Sequence, residues 1–136
     1  MQLNIASVAS FLVVQAFLAG ATSITYCTTG SCQTNSNAAD GQCYNIPSNM
    51  NDAIWSVDIK GGNCVFWDNY NCQHIHTNQI TGSEDAAAFC KDGSGQHTAT
   101  NDNCLWNTMI SSYKCCTSGW CAGSTPKCNA YDLAAC

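Results

Sequence analysis

The sequence predicts a mainly β, disulfide-stapled domain with a minor helical part, and three observations carry that expectation. Twelve of the 136 residues are cysteine. After Ala21 only 13 of 115 residues are Leu, Ile, Val or Phe, about 11% against the roughly 20% below which a chain struggles to build a core. The apolar residues that do occur sit in short runs between Gly- and Asn-rich turns, one of them with a clear period of two. Ordering a chain of this size costs on the order of 100 to 200 kcal/mol of conformational entropy, and so thin an aliphatic set offsets little of it. Cross-links narrow the unfolded ensemble instead, by roughly 2–4 kcal/mol each in favourable geometry. Four Trp and five Tyr add rings that bury about 150–250 Å² apiece.

The elements follow in order. Phe11-Leu12-Val13-Val14 and Ala16-Phe17-Leu18, closed by the small-x-small run Ala19-Gly20-Ala21, read as a signal peptide over residues 1–21, leaving a single secreted domain over 22–136. Gln15 interrupts the run, and its apolar length falls short of the roughly 20 residues a bilayer span needs. Strands are expected at 24–26, 43–46, 54–59 and 65–67. In the third, Ile54, Ser56 and Asp58 alternate with Trp55, Val57 and Ile59, the period of a half-buried strand. Lys60-Gly61-Gly62-Asn63 reads as the turn of a β-hairpin, because Gly and Asn tolerate positive φ. Ser83 ahead of Glu84-Asp85 and Ala86-Ala87-Ala88-Phe89 reads as a capped short helix with acids in its first turn. A second short helix is expected to open at Ser124 or Thr125 with Pro126 in its first turn and to run to Ala134. Residues 92–102 are a Gly-, Ser- and Thr-rich loop.

Disulfide bonding is expected for Cys27, Cys32, Cys43, Cys64, Cys72, Cys90, Cys104, Cys115, Cys116, Cys121, Cys128 and Cys136. Their pairing stays open, since twelve half-cystines allow on the order of 10⁴ connectivities. Zinc is the rival for clustered cysteines, but the chain has no pair of Cys-x-x-Cys elements, and an oxidising compartment favours disulfides. One internal echo stands out: Cys27-Thr28-Thr29-Gly30-Ser31-Cys32 against Cys116-Thr117-Ser118-Gly119-Trp120-Cys121, which shared turn chemistry explains without duplication. After Ala21 no Asn is followed two residues on by Ser or Thr, so N-glycosylation is not expected.

Charge narrows the function classes. Four Lys and no Arg against nine acids give a net charge of −5, which leaves little to neutralise phosphates and argues against a nucleic-acid partner. The same acidity disfavours membrane lysis, which needs a cationic face toward anionic lipid. No Gly-x-Ser-x-Gly signature occurs, and Glu84 and Asp85, adjacent on a helix, would not face each other. An enzyme is therefore not expected, and no cofactor is implied. His74 and His76 share one face of an extended stretch and, with Asp68 or His97, could bind a transition metal; an exposed loop, or an alternating strand with Ile75 as its buried member, is the favoured reading, and no metal is expected.

The run Cys43-Tyr44-Asn45-Ile46-Pro47, Met50-Asn51-Asp52-Ala53-Ile54-Trp55-Ser56-Val57 and Cys64-Val65-Phe66-Trp67-Asp68-Asn69-Tyr70-Asn71-Cys72 resembles the βγ-crystallin-type Greek-key motif over residues 24–80. That motif has an aromatic, then Phe or Cys five residues on, then Gly two further. Trp67 and Cys72 fit, and His74 stands at the glycine. The resemblance implies a Greek-key β-sandwich with one or two short helices, of the kind found in small fungal effectors, antimicrobial proteins and bacterial metalloproteinase inhibitors. The family's calcium corner is matched by Asn51-Asp52-Ala53-Ile54-Trp55-Ser56 except at Trp55, where a hydroxyl oxygen is required. An indole offers only an N–H donor, so no tight calcium site is expected and Asn51 and Asp52 read as turn formers. Separately, Cys115-Cys116-Thr117-Ser118-Gly119-Trp120-Cys121 is similar to the core of hevein-type chitin-binding modules, which implies Ser118, Trp120 and Tyr131 as glycan contacts. The function expected is that of a secreted, monomeric, non-enzymatic protein that recognises a host or microbial surface protein or glycan, effector-like or antimicrobial; the alternatives are a chitin- or glycan-binding module and an extracellular proteinase inhibitor.

Overall fold

The computed structural model describes residues 21–86, 89 and 106–124. The expected signal peptide, the 92–102 loop, the second helix beyond Ser124, His97, Tyr131 and Cys90, Cys104, Cys128 and Cys136 lie outside the described residues. Seven strands are present: β1 (Thr22–Cys27), β2 (Cys32–Ala38), β3 (Cys43–Asn45), β4 (Ser56–Asn69), β5 (Gln73–His76), β6 (Ile80–Asp85) and β7 (Ser112–Cys116). Every pairing is antiparallel. The strands lie in the order β2-β1-β4-β7-β3, with β5 and β6 also against β4.

Strand β4 is the axis of this curled sheet. Val57 pairs with Tyr26 of β1 and Glu84 of β6, whereas Trp67 pairs with Ser112 of β7 and His76 of β5. Because Cys64 joins Cys115 on one side and Ile80 on the other, β1 and β7 share one edge of β4, and β5 and β6 share the other. The expected hairpin at residues 60–63 is therefore corrected: the chain does not reverse there. Gly61 takes φ +78°, and the register against β6 slips between Ile59 and Cys64, so the glycines form a bulge inside one long strand. A Cβ on Gly62 would meet the Thr22 hydroxyl and, at 2.5 Å, the Cys116 carbonyl oxygen. The start of β1 and the end of β7 thus converge on a point where only a hydrogen fits.

The two halves of β4 bury differently. From Ser56 to Lys60 only Val57 and Ile59 turn inward; from Asn63 to Trp67 every side chain is buried. Cys64 and Phe66 enter the main core with Ile24, Tyr26, Ile46, Met50, Ile54, Phe89, Trp106, Ile110 and Tyr113, while Val65 and Trp67 enter a smaller core with Cys116 and Cys121. Tyr113 is the aromatic centre, with ring centroids 5.7 Å from Tyr26, 5.3 Å from Tyr44 and 6.3 Å from Phe66. Among the described residues four disulfides staple the framework: Cys27–Cys32, Cys43–Cys72, Cys64–Cys115 and Cys116–Cys121.

The helix expected to open at Ser83 is also corrected. Ser83, Glu84 and Asp85 belong to β6, opposite Asp58, Val57 and Ser56. At Ser83 to Asp85 the capping signature was outweighed by strand pairing that satisfies the backbone against β4, since a helix that short is marginal without an apolar stripe to pack. The real turn of the long hairpin lies at residues 70–72, where Asn71 and Cys72 have positive φ. The Asn71 N–H donates to Asn45 Oδ1 at 2.7 Å, and Cys72 N–H donates to Ser112 Oγ at 2.9 Å.

Two expected outcomes follow from this packing. Gly62→Ala destabilises by about 1–3 kcal/mol through overpacking against the Cys116 backbone, whereas Gly30→Ala, with open space around it and no positive φ, stays within about 0.5 kcal/mol; chemical denaturation of both variants reads the contrast. Desolvation pushes the Tyr113 hydroxyl up to about 12, against a smaller opposing effect of the Asn35 amide that donates to it. An unfolded tyrosine titrates near 10, so between about pH 10 and 12 the unfolded chain has lost a proton the fold retains, and stability falls as pH rises. Tyr113→Phe flattens that alkaline slope in pH-dependent melts.

Candidate functional site

On the face of β1, β4 and β6 turned away from the main core, the period-two alternation brings polar side chains into two transverse rows. Ile24, Tyr26, Val57 and Ile59 point inward, which sends Thr25, Cys27, Ser56 and Asp58 outward. Register aligns Thr34, Thr25, Asp58 and Ser83 in one row and Cys32, Cys27, Ser56 and Asp85 in the next. Of these, Thr25, Cys27, Ser56, Asp58, Ser83 and Asp85, together with Val57 and Glu84, line an open groove of about 580 Å³.

The groove is ordered by its own hydrogen bonds. The Thr25 and Thr34 hydroxyls are 2.8 Å apart, Ser83 Oγ donates to Asp58 Oδ1 at 2.7 Å, and Lys60 Nζ lies 3.1 Å from Asp58 Oδ2. The Ser83 hydrogen bond, and after it the Lys60 ammonium, hold the Asp58 carboxyl below the usual aspartate range. At the end of the groove Trp55 is 49% exposed. Its N–H donates to the Cys27 carbonyl and its own carbonyl accepts from Ala86 N–H, each at 2.7 Å, so the ends of β1, β4 and β6 are tied together there. Elsewhere acids have structural tasks: Asp40 accepts from the Thr117 N–H and hydroxyl, Asp68 from Ile75 N–H and His74, and Asp52 from the Ser111 hydroxyl. The groove can hold a ligand that donates hydrogen bonds, and its carboxylates disfavour an anion.

The residues singled out in the sequence fall elsewhere. Ser118 and Trp120 sit in the loop closed by Cys116–Cys121; both are exposed, Trp120 by 40%. The carbonyl of the intervening Gly119 accepts from the Asn63 and Gln79 amides, and Lys114 Nζ donates to Ala122 O at 2.6 Å. His74 and His76 do not converge. His74 is bonded to Asp68 at 2.7 Å on the surface, while His76 is buried with its ring 5.5 Å from that of Trp67 and Nδ1 2.8 Å from the Thr77 carbonyl. Among the described residues no group of three or more His, Cys, Asp or Glu is placed to hold a metal, and His97 lies outside them. In the calcium-like corner Asp52 lies in a turn with φ +57° and donates its N–H to the Ile110 carbonyl, while Ser56 faces the groove.

Comparison with family models, with curated proteins and with solved structures returns no match. Among the described residues no helix is long and apolar enough to cross a membrane, and four disulfides fit an oxidising, extracellular compartment. Thr25, Asp58, Ser83 and Asp85 were missed as site residues. The alternation of 54–59 carried the signal for Asp58, but nothing local showed that Ser83 and Asp85 would be its cross-strand neighbours. In Ser83→Ala, and separately in Lys60→Ala, the Asp58 carboxyl is expected to titrate higher; carboxyl NMR titration reads both, and an unmoved Asp58 in Ser83→Ala would contradict the geometry.

Proposed function

We propose that the chain is a secreted, disulfide-stapled protein that acts by non-catalytic surface recognition in the extracellular space, in the manner of a fungal effector or apoplastic antimicrobial protein. The observation that carries this reading is the groove on a cross-linked sheet: hydroxyls and carboxylates held in two rows by backbone register are preorganised to receive a hydrogen-bond-donating partner. The βγ-crystallin-like, Greek-key comparison belongs to the same proposal. It is supported by His74, which takes φ +75° at the position where that motif has glycine, a backbone region glycine occupies most easily. The test is infiltration of purified protein into host tissue beside a growth assay on competing microbes. Wild type is expected to act in one of them, and the Asp58→Ala/Asp85→Ala variant to need at least about tenfold more protein, a loss of roughly 1.4 kcal/mol or more of binding. Inertness of folded wild type in both removes the reading.

A second reading, glycan attachment, is favoured by Trp120: an exposed indole on a loop braced covalently by Cys116–Cys121 can stack on a sugar ring with little ordering cost. Retention on insoluble chitin that disappears in Trp120→Ala supports it, and no retention of wild type ends it. Proteinase inhibition rests on the resemblance alone.

A further inference from the structure

Among the described disulfides, Cys27–Cys32 is set apart by access. Cys32 is exposed, Cys27 is half-buried and lines the groove. Cys64 and Cys115 are fully buried, Cys116 and Cys121 are sunk in the smaller core, and Cys43 and Cys72 are both half-buried, with Cys72 Sγ against the Tyr113 carbonyl. Cys64–Cys115 is the internal control, because both it and Cys27–Cys32 join directly opposed residues of antiparallel strands with Cα atoms 4.0 Å apart. Burial distinguishes them. Position adds to this, since Cys32 belongs to β2 at the end of the strand order, so among the described residues no further strand flanks it.

The turn it closes does not need it. Thr28 N–H donates to the Ser31 carbonyl at 2.8 Å, and Thr28 Oγ1 accepts from the Gly30 and Ser31 N–H groups. A cross-link between residues five apart also removes less unfolded-state entropy than those spanning 29 or 51 residues. We propose that Cys27–Cys32 is a thiol-exchange site, open in the folded protein to neutral or cationic thiols that enter along the groove. A dithiol's thiolate attacks Cys32 Sγ, breaking the Sγ–Sγ bond, forming a mixed disulfide and releasing the Cys27 thiolate, which takes a proton from water. The reagent's second thiolate attacks its own sulfur in the mixed disulfide and expels the Cys32 thiolate, also protonated by water. The reagent leaves as a cyclic disulfide, and the protein has gained two electrons and two protons. Asp58, Glu84 and Asp85 around the entry repel an anionic thiol. The site stands whether or not the groove also binds a recognition partner.

The experiment is timed reduction of native full-length protein with dithiothreitol, quenched by alkylation and read peptide by peptide by mass spectrometry, with near-UV circular dichroism alongside. Cys27 and Cys32 are expected to label at least about tenfold faster than Cys64 and Cys115, access being a main determinant of exchange rate, with the native spectrum retained. Earlier labelling of another described pair, or labelling only as the spectrum collapses, overturns the proposal. With rates corrected for each reagent's thiolate fraction, the ratio of single-turnover attack by cysteamine to that by 3-mercaptopropionate is expected to fall from low to high salt; a ratio that salt leaves unchanged overturns the charge selectivity. Folded Cys27→Ser/Cys32→Ser protein loses the early two-thiol phase. If that variant does not fold, the wild-type labelling order still decides the matter, and a failed double variant counts against the dispensable turn.

Discussion

At Gly62 the chain has room for a hydrogen and nothing larger, and the sheet is arranged around that point. Two strands distant in sequence meet the same edge of β4 there, β1 at its start and β7 at its end, because the Gly61-Gly62 bulge bends the strand between its pairing partners. Any side chain there would push Thr22 or the Cys116 carbonyl aside, and with them the strand ends they belong to. The bend also changes what each half of β4 faces. Its first half keeps one wet face, which becomes the groove; its second half lies between two cores. One local steric allowance thus separates a recognition-type surface from a sealed interior along a single strand.

Sulfur fills part of the place that aliphatic side chains occupy in other domains. Cys64–Cys115 lies inside the main core beside Phe66 and Tyr113, and Cys116–Cys121 forms most of the smaller one with Val65 and Trp67. These bonds are cross-links and packing volume at once, because half-cystine is among the most buried of residue types. The adjacent Cys115 and Cys116 alternate across β7, so one strand delivers a disulfide to each core. That arrangement explains how so few Leu, Ile, Val and Phe residues suffice. Tyr113 completes it, since a phenol that keeps its proton far into the alkaline range packs as an aromatic while still accepting from Asn35.

The sequence was legible where the signal was local. Period two placed the first half of β4, short apolar runs between turn signals placed β1, β3 and the second half of β4, and the thin aliphatic content called for the disulfides. It misled where a local signal met a long-range partner. Gly-Gly-Asn reads as a reversal unless β1 and β7 are known to converge on it, and Ser83-Glu84-Asp85 reads as a helix cap until Ser56, Val57 and Asp58 lie opposite. β2 was invisible for a related reason: Gln33, Thr34, Asn35, Ser36 and Asn37 carry no apolar alternation, because an edge strand with mostly exposed side chains has nothing to bury. The groove inherits all of these gaps, being formed by cross-strand neighbours from three segments.

The two Cys-x₄-Cys rings show how little spacing alone decides. Both close five residues apart through Thr, Ser and Gly, and either could have formed an exposed, dispensable clasp. In the first, the ring caps a hairpin at the end of the strand order, its turn is closed independently by Thr28, and Cys27 borders a groove. In the second, the chain leaves β7 and folds back over Val65 and Trp67, so the same covalent unit becomes the lid of a core and Thr117 to Trp120 are turned to solvent. Thiol access at one ring and an offered indole at the other therefore come from the sheet position at which each ring was placed, not from the motif.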